Sequence, residues 1–346
     1  MKQRQPPVTI HDIARRVGKS VATVSRALND YADISPQTKD LVRRAALEMG
    51  YRPNTLAQRF RKVQSDTLGL VVPTYGPRFS EPFFSEFITG VGNMGAELGF
   101  DLLVSTREPG DEETLTYHNF VRDHRVDGFI VIRTRRQDTR INDLREIGFP
   151  FVAFGRVEGE LDFPFVDEDG GHGIRLIVNH LHRLGHRRIA CITSPQELNF
   201  TGHRLTGLQA AAQENGLELP QEFRLQGDLT QRSGYECARR LLTGGQPPTA
   251  IIAFNDLMAV GAISAAQDLG LIVGKDVSIT GFDDLPLAEH THPPLTTIRQ
   301  PIYQIGGMVC EMLVKLIRYE PLAEKQIILQ PALVQRQSSG PPVRSH

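Results

Sequence analysis

The spacing of apolar residues changes once along the chain, near residue 65. Before this point apolar positions recur every three or four residues, as in HDIARRV and TKDLVRRAALEM, which predicts amphipathic helices. Beyond it, short apolar runs alternate with longer helix-like segments, which predicts parallel strands with helices on both faces of a sheet. We therefore expect a small all-α head followed by a larger α/β body.

The head is predicted to contain three helices with recognisable ends. Thr9 is the expected N-cap of the first helix, with Asp12 completing a capping box, and Gly18 ends this helix. Ser20 is the expected N-cap of a second helix, VATVSRALN, so the pair has the outline of a helix-turn-helix. A third helix begins after Ser35, with proline at its first position, and ends before a glycine.

Seven apolar runs of the body predict buried strands. Helix-like segments such as RLIVNHLHRLG and AVGAISAAQDLG lie between most of them, and the number of strands predicts two lobes. The runs are LGLVVP (68–73), FDLLVS (100–105), GFIVI (128–132), PFVAF (150–154), RIACIT (188–193), AIIAF (250–254) and VSITGF (277–282).

Charge is divided unevenly between head and body. The first 64 residues carry thirteen Lys and Arg against five Asp and Glu, whereas the remainder carries 26 against 35, so the overall net charge of −1 conceals the split. A basic head on an acidic body predicts that the head binds a polyanion and that the body has another task. With 346 residues, 40% of them hydrophobic, the chain can form more than one domain.

The cysteines and the N-terminus indicate a soluble cytosolic protein. Cys191, Cys237 and Cys310 lie far apart in apolar surroundings, as expected of buried thiols in a reducing compartment. The N-terminal MKQRQPPVTIHD has no apolar core of a signal peptide. No uncharged apolar stretch approaches the roughly 18 residues that span a bilayer, so we expect no membrane partner.

The second helix has the composition of a helix that reads DNA. Its first residues are small enough to enter a major groove, and its hydroxyl and amide groups can contact phosphates. Arg26 can reach the N7/O6 edge of guanine. The alternative is a minor helical subdomain with a solvated basic surface. The expected contact residues on this helix are Val21, Ala22, Thr23, Ser25, Arg26 and Asn29.

The head also carries the resemblance to a known family. The run VTIHDIARRVGKSVATVSRALND, followed by ISPQTKDLVRRAALEMGYRPNTLAQRF, closely resembles the N-terminus of LacI/GalR-type transcriptional regulators, and the resemblance extends to about residue 337. It implies a homodimer whose paired recognition helices read a palindromic operator. Thr9 and Tyr51 join the expected DNA contacts.

The resemblance further implies a hinge helix that folds only on operator DNA. It maps onto residues 54–62, with Asn54 as N-cap. Two such helices can push an apolar wedge into the minor groove and kink the duplex. The family usually has leucine as the wedge; this chain has Phe60, with Ala57 one turn earlier. The alternative for Phe60 is a core aromatic of the linker.

For the body, the resemblance implies a type I periplasmic-binding-protein fold with three crossovers between two lobes. The expected domains are the head with its hinge at 1–64 and the effector-binding and dimerisation body at 67–339, its first lobe at about 67–163 and 298–324 and its second at about 164–297 and 325–339.

Candidate ligand residues follow the predicted strands. In doubly wound sheets ligands bind at the carboxyl ends of strands. Arg133 follows GFIVI, Asn255 follows AIIAF, Asp283 follows VSITGF, and Arg204 opens a helix-like segment. Their guanidinium, amide and carboxylate groups can hydrogen-bond the hydroxyls of a polyol. The resemblance implies ligand contacts at Arg204, Asn255 and Asp283, for which the alternative is a structural role.

Two further pairs need separate interpretation. Phe83 and Phe84 lie where the family resemblance implies an aromatic facing the cleft, suited to a sugar ring or a purine; the alternative is that either is buried in the first lobe. Asp256 and Asp284, next to two candidate ligand residues, are interpreted as helix caps or lobe-closing ion pairs.

The body departs from the family pattern at two positions. Sugar binders of the family often have an acid where this chain has Gly155 followed by Arg156, and an aromatic where it has Leu229. With Arg133 also near the cleft, an anionic or larger saccharide becomes an alternative ligand.

Two patterns are interpreted as coincidental. The segment GVGNMG (90–95) fits G-x-G-x-x-G, but it lies within a helix-like stretch and does not follow a strand directly. His180, His182 and His186 are interpreted as solvated surface histidines, because Gly185 ends the helix before the last of them. We expect no metal site, no cofactor and no catalytic constellation.

These observations predict a repressor of carbohydrate-utilisation genes that a sugar or sugar derivative releases from DNA. A corepressor-dependent regulator of the purine type is the alternative. A ligand carrier without regulatory role does not explain the basic head, and an enzyme would need a catalytic constellation that the sequence lacks.

Overall fold

The structure, a computed structural model, describes residues 8–28, 30–51, 64–74, 82–159 and 162–343. The described chain forms two compact units, which divide between Ser65 and Asp66. The predicted hinge helix lies outside the described residues. No described helix combines the length and the apolar character needed to cross a membrane.

The head unit is built from three short helices whose ends follow the local sequence. They are α1 (Ile10–Val17), α2 (Val21–Leu28) and α3 (Pro36–Glu48). At the start of α1 the Asp12 carboxylate accepts hydrogen bonds from the amide (2.9 Å) and hydroxyl (2.7 Å) of Thr9. The hydroxyl oxygens of Ser20 and Ser35 accept from the amides three residues on, which confirms both predicted N-caps. Buried apolar side chains of the three helices form one small core.

The body unit has two lobes, each with its own sheet and its own apolar core. Elements of the first sheet and its faces are β1 (Thr67–Pro73), α4 (Pro82–Leu98), β2 (Asp101–Arg107), α5 (Asp111–Arg122), β3 (Gly128–Val131), α6 (Thr139–Glu146), β4 (Phe151–Phe154), β5 (Phe165–Glu168), α11 (Ile302–Ile317) and β11 (Gln326–Leu329). Elements of the second lobe are α7 (Gly170–Leu184), β6 (Ile189–Thr193), α8 (Asn199–Glu214), β7 (Arg224–Gln226), α9 (Gln231–Leu242), β8 (Ala250–Ala253), α10 (Asp256–Asp268), β9 (Ser278–Thr280), β10 (Thr297–Arg299) and β12 (Ala332–Val334).

Both large sheets are parallel. Within the described residues the first has the order β11-β5-β4-β3-β1-β2 and the second the order β7-β6-β8-β9. An antiparallel pair, β10 and β12, is linked to the second sheet by isolated bridges from Thr280 to Thr296 and from Asp283 to Arg299. The predicted α/β body is thereby confirmed.

The predicted boundaries between the lobes were wrong at two strands, and a third boundary fell inside β10, whose residues 298–299 were assigned to the first lobe. Residues 165–168 and 326–329 were assigned to the second lobe, but they form β5 and β11, which pair with each other and extend the first sheet. The chain therefore crosses between the lobes after β5, between β10 and α11, and between β11 and β12. These are the three crossovers that the resemblance implied.

The G-x-G-x-x-G segment lies inside α4, where glycine allows close helix packing. A Cβ on Gly90 would lie 2.2 Å from the carbonyl oxygen of Tyr303 on α11, and one on Gly306 would lie 2.4 Å from the carbonyl oxygen of Phe87. Both glycines therefore allow the backbones of α4 and α11 to approach directly. A dinucleotide-binding role is not needed to explain them.

The cysteines are free thiols, as expected, but they differ in burial. Cys191 and Cys310 are buried in the two lobes, and burial raises the pKa of each to about 12. Cys237 is only half-buried, so its predicted full burial was wrong.

Two of the three histidines interpreted as surface residues are in fact buried. His186 is 1% exposed, and its Nε2 lies 2.9 Å from the carbonyl oxygen of Gly340. Because a carbonyl oxygen only accepts, Nε2 donates, and the neutral Nδ1 accepts from the Thr249 hydroxyl at 2.9 Å. His180 likewise lies 2.9 Å from the Ser339 hydroxyl. These histidines bind the C-terminal segment to the second lobe, and the sequence spacing around Gly185 could not indicate that segment's position.

Acid is expected to weaken this attachment. Burial lowers the pKa of His186 below its ordinary value of 6.5, so the unfolded chain binds the proton first as the pH falls. The stabilisation is therefore complete above pH 6.5 and is lost as the pH falls toward the lowered pKa. His186→Gln should show a smaller decrease of the unfolding midpoint than the wild type between about pH 7.5 and about pH 5.5. His182→Gln, in the last turn of α7, is the control and should keep the wild-type decrease; equal decreases in all three proteins would contradict this role.

Candidate functional site

All six residues predicted to bind the effector line one cavity between the two lobes of the body. The cavity and its mouth hold about 750 Å3 of empty space. It lies at the carboxyl ends of β3, β4, β5, β8 and β9, the position that doubly wound sheets favour for ligands. The six residues are Phe83, Phe84, Arg133, Arg204, Asn255 and Asp283.

Phenylalanine rings form one side of this cavity. Phe83, half-buried near the start of α4, stacks on Phe154 with 6.0 Å between ring centroids and meets Phe84 edge-on at 5.4 Å. Phe84 is 1% exposed and belongs to the first-lobe core, while the Arg133 guanidinium lies 5.1 Å from its ring centroid. Phe200, near the start of α8, contributes a ring from the second lobe. Aromatic faces of this kind suit the apolar face of a flat or ring-shaped ligand.

Arg204 connects the two lobes at the floor of the cavity. Its Nη2 lies 3.1 Å from Glu168 Oε1, at the end of β5 in the first sheet, and its Nη1 donates to the Phe254 carbonyl oxygen at 2.5 Å. Its guanidinium carbon lies 3.6 Å from the centroid of the Phe282 ring. Arg204 was expected to open its helix, but α8 begins five residues earlier at Asn199. Arg204 is 4% exposed, and its contacts with Glu168, the Phe254 carbonyl oxygen and the Phe282 ring hold the side chain in place.

Arg156 is also paired with a carboxyl group of the first lobe. Its Nε lies 2.7 Å from Asp167 Oδ2. Burial, together with the neighbouring Glu168 carboxylate, raises the pKa of Asp167 well above its ordinary value, and the Arg156 guanidinium opposes the shift. The cavity thus contains three guanidinium groups and three carboxyl groups, one of which, Asp167, has a raised pKa. Asp167 and Glu168 were missed because strand β5 was not predicted.

Asp283 presents its carboxylate beside Gln300, a residue that the sequence did not single out. Gln300 Nε2 donates to Asp283 Oδ1 at 2.7 Å. Gln300 is 4% exposed, and its Oε1 has no hydrogen-bond partner among the described residues. Asp283 has a φ of 129°, a conformation that L residues rarely adopt. The two side chains together offer acceptor oxygens to a ligand that carries hydroxyl groups.

Three other polar residues, at the carboxyl ends of β8 and β9, form contacts within the protein. Asn255 Oδ1 accepts from the Met258 amide at the start of α10, and its Nδ2 donates to the Leu229 carbonyl oxygen. Asp256 accepts from the Leu285 amide and the Thr297 hydroxyl, and burial raises its pKa to about 6. Asp284 pairs with Arg299 and Arg336, so both acids have structural partners, but these partners all lie in the second lobe and the N-cap of α10 is Asn255; the expected roles of Asp256 and Asp284 as helix caps or lobe-closing pairs were therefore wrong.

A backbone contact joins the lobes beside the cavity. The Asn199 amide at the start of α8 donates to the Thr134 carbonyl oxygen at 2.9 Å, and the Arg136 amide donates to the Glu197 carbonyl oxygen at 3.0 Å. The Asn199 side chain donates to the Arg156 carbonyl oxygen at 2.8 Å. Any movement of one lobe against the other must change these bonds.

The first-lobe side of this contact rests on a buried ionic cluster. Arg140 is 1% exposed; its guanidinium lies 2.7 Å from Glu113 and 2.6 Å from Asp138. Arg140 Nη2 also donates to the carbonyl oxygens of Ile132 and Arg133 at 3.2 and 3.1 Å. The cluster therefore fixes the strand end that carries Arg133.

In the head, the predicted DNA-contact residues divide into exposed and packed groups. Ala22 and Arg26 of α2 are exposed, while Thr23 and Ser25 are half-buried. Val21 and Tyr51 pack in part against the head core, so both also have a structural role. Thr9 is exposed at the N-terminus of α1. Asn29, Asn54, Ala57 and Phe60 lie outside the described residues.

Arg26 forms an ion pair with Asp33, another residue that the sequence did not single out. Its guanidinium carbon lies 5.5 Å from the centroid of the Tyr31 ring. In the described part of the chain no group of three or more His, Cys, Asp or Glu could hold a metal ion.

Comparisons with known proteins agree with the description of the head and with that of the body. Residues 9–54 match the model of bacterial regulatory proteins of the lacI family, and residues 178–339 match that of a periplasmic binding protein-like domain. The chain is 35% identical over 339 residues to the HTH-type transcriptional regulator AglR of Rhizobium meliloti (strain 1021), an alignment that spans 97% of this chain and 95% of AglR.

Two solved structures resemble the chain over nearly its whole length. The transcriptional regulator CelR-cellobiose complex has 33% sequence identity and a TM-score of 0.75, covering 96% of this chain and 100% of that one. The lac repressor dimer bound to operator and the anti-inducer ONPF has 28% identity and a TM-score of 0.86, covering 97% of this chain and 100% of that one.

Proposed function

Because this chain belongs to the LacI family of bacterial regulatory proteins, we propose that it is a transcriptional repressor released from its operator by a sugar bound in the body. The cavity between the lobes carries this proposal, because it joins an aromatic side to acceptor oxygens at the carboxyl ends of strands. CelR, a similar protein, was solved in complex with cellobiose.

The hydrogen-bonding groups of the cavity favour a polyhydroxylated ligand. Arg156 contacts the Asp167 carboxyl group and Arg204 contacts the Glu168 carboxylate, so both guanidinium groups already have partners within the protein. Asp283 and Gln300 instead offer oxygens that accept from hydroxyl groups. This argument removes the support that Arg156 gave to an anionic saccharide.

The same contacts make the arrangement of the two lobes sensitive to a bound ligand. Arg204 is paired with Glu168 across the lobes, and the Asn199 amide is bonded to Thr134 beside the cavity. A ligand that prefers one arrangement of the lobes shifts the population toward it by no more than its difference in affinity. We propose that the arrangement favoured by the sugar holds the two heads of a homodimer at a spacing unsuited to a palindromic operator. A ligand that favours the opposite arrangement would be a corepressor.

In the head, Arg26 is assigned the role of reading a guanine. It is exposed on α2, near the exposed Ala22 whose small side chain allows close approach to a groove. A bidentate contact from Arg to guanine gives about 1–3 kcal/mol of discrimination against other bases. Phe60 is assigned the minor-groove wedge on the resemblance alone.

Arg26→Ala is expected to lower operator affinity by about 1–3 kcal/mol and to relax selectivity at one base pair of each half-site. Fluorescence anisotropy with operator duplexes substituted at each position measures both effects. Arg15→Ala, an exposed arginine of α1, is the matched control and should leave the selectivity profile unchanged. If Arg26→Ala weakens binding to all sequences equally, Arg26 contacts the backbone and does not read a base.

A gel-shift experiment tests the proposed function as a whole. Purified full-length protein is mixed with duplex DNA from upstream of its own gene and with a panel of neutral mono- and disaccharides. We expect a shifted band that at least one saccharide abolishes. If no DNA binds, the regulatory role is wrong; if DNA binds and nucleobases alone alter the band, the sugar is wrong.

A further inference from the structure

The turn after the recognition helix places an acid against the guanidinium that is assigned to base reading. The Tyr31 amide donates to the Arg26 carbonyl oxygen at 3.1 Å, and the Ile34 amide donates to the Tyr31 carbonyl oxygen at 3.3 Å. This turn brings Asp33 Oδ2 into contact with Arg26 Nη2. Both side chains are about half exposed, 51% for Arg26 and 48% for Asp33, so the pair is accessible at the surface of the head.

Asp30, the other acid of this turn, has its cationic partners on α3. Asp30 Oδ1 lies 3.0 Å from Lys39 Nζ and 2.9 Å from Arg43 Nη2, both on α3. Hydrogen bonding and charge from Lys39, followed by Arg43, lower the pKa of Asp30. Two cations of the supporting helix thus balance Asp30, whereas the carboxylate of Asp33 is directed at the reading side chain.

Arg26 can keep this contact while it reads a base. Arginine has five N–H donors, and the contact with Asp33 is made through Nη2. Enough donors remain for the two parallel hydrogen bonds that guanine N7 and O6 accept. The ring of Tyr31 lies on the same guanidinium, which limits its orientation further.

We infer that Asp33 is a positioning residue that sets the sequence selectivity of the head through Arg26. Its carboxylate holds the guanidinium in a fixed orientation, which lowers the entropic cost of contacting guanine. The same negative charge repels phosphate groups and disfavours the use of Arg26 as a backbone contact on other sequences. This inference rests on the base-reading role of Arg26 proposed above.

The test compares full-length proteins on two duplexes: the palindrome that the wild-type protein selects from random DNA, and the same palindrome with the guanine read by Arg26 replaced. Asp33→Asn should bind the selected palindrome more weakly and the replaced one more tightly. Because an exposed ion pair contributes about 0.2–1 kcal/mol, we expect the ratio of the two affinities to fall by about 1.4- to fivefold. Asp40→Asn, which removes the same charge from an exposed site of α3, is the matched control and should leave the ratio unchanged.

A double-mutant cycle separates the failure of this inference from the failure of the proposed function. If Arg26→Ala leaves the ratio unchanged, Arg26 does not read a base and both assignments fall. If Arg26→Ala lowers the ratio but Asp33→Asn leaves it unchanged, only the role of Asp33 is overturned. The same conclusion follows if Asp33→Asn lowers the ratio equally in the wild-type and the Arg26→Ala backgrounds. An effect of Asp33→Asn that disappears in the Arg26→Ala background supports it. Thermal unfolding of the head, followed by circular dichroism, should be the same for Asp33→Asn and Asp40→Asn.

Discussion

Replacing Arg140 with methionine is expected to lower the free energy of unfolding of the body by about 3–5 kcal/mol. The Arg140 guanidinium is buried between the carboxylates of Glu113 and Asp138, both also buried. Methionine has a similar length but no charge, so it leaves a negative charge inside the first lobe with less compensation. Arg135 remains 2.6 Å from Glu113 and can balance only part of it.

Urea unfolding of the wild type and of two variants measures this effect. Arg145→Met, on the exposed side of the same helix α6, is the matched control and should change stability by no more than about 0.5 kcal/mol. Adding Asp138→Asn to Arg140→Met should recover part of the loss, because it removes one of the uncompensated carboxylates. A loss below about 1 kcal/mol in Arg140→Met would show that the cluster does not stabilise the lobe.

Asp283→Asn is expected to abolish the response to the effector while leaving operator affinity intact. The carboxylate would accept hydrogen bonds from sugar hydroxyls, and hydrogen bonds to charged groups contribute about 1.5–3 kcal/mol, or roughly 10- to 150-fold in affinity. Asparagine can still accept the hydrogen bond from Gln300. It also tolerates positive φ better than alanine, so the substitution avoids additional strain at 129°.

Calorimetry with the releasing saccharide and anisotropy with the operator measure the two parts of this prediction. Asp268→Asn, an exposed acid of the same lobe outside the cavity, should behave as the wild type. An unchanged saccharide affinity in Asp283→Asn would remove Asp283 from the ligand site. A lost operator affinity would instead show that Asp283 maintains the DNA-binding form of the protein.

Local signals were sufficient for the head because its helix ends depend on neighbouring residues. The Asp12 carboxylate accepts from the amide of Thr9, three residues away. The hydroxyl oxygens of Ser20 and Ser35 likewise accept from the amides three residues further along. The ion pair of Arg26 with Asp33 also joins residues close in sequence, but its formation depends on how the turn folds back. The sequence could not show that geometry.

In the body, the rule that ligands bind at the carboxyl ends of strands could identify only residues that follow a strand predicted from the sequence. Arg133, Asn255 and Asp283 follow long apolar runs and line the cavity. Glu168 and Gln300 line it too, but Glu168 ends β5 and Gln300 follows β10, and the sequences of these strands, FVDE and TIR, are not apolar runs. Strands with charged or hydroxyl residues lack the apolar run by which the other strands were recognised. The same rule applied to those strands would have selected both residues.

Reciprocal coupling between saccharide and operator tests the central claim most directly. The dissociation constant of the releasing saccharide is measured by calorimetry for the free protein and for the protein saturated with operator duplex. Linkage requires that operator weakens saccharide binding by the same factor by which saccharide weakens operator binding. The account predicts a weaker saccharide affinity in the complex, by a factor equal to the loss of operator affinity. A saccharide that binds the free protein and its operator complex with equal affinity would contradict it.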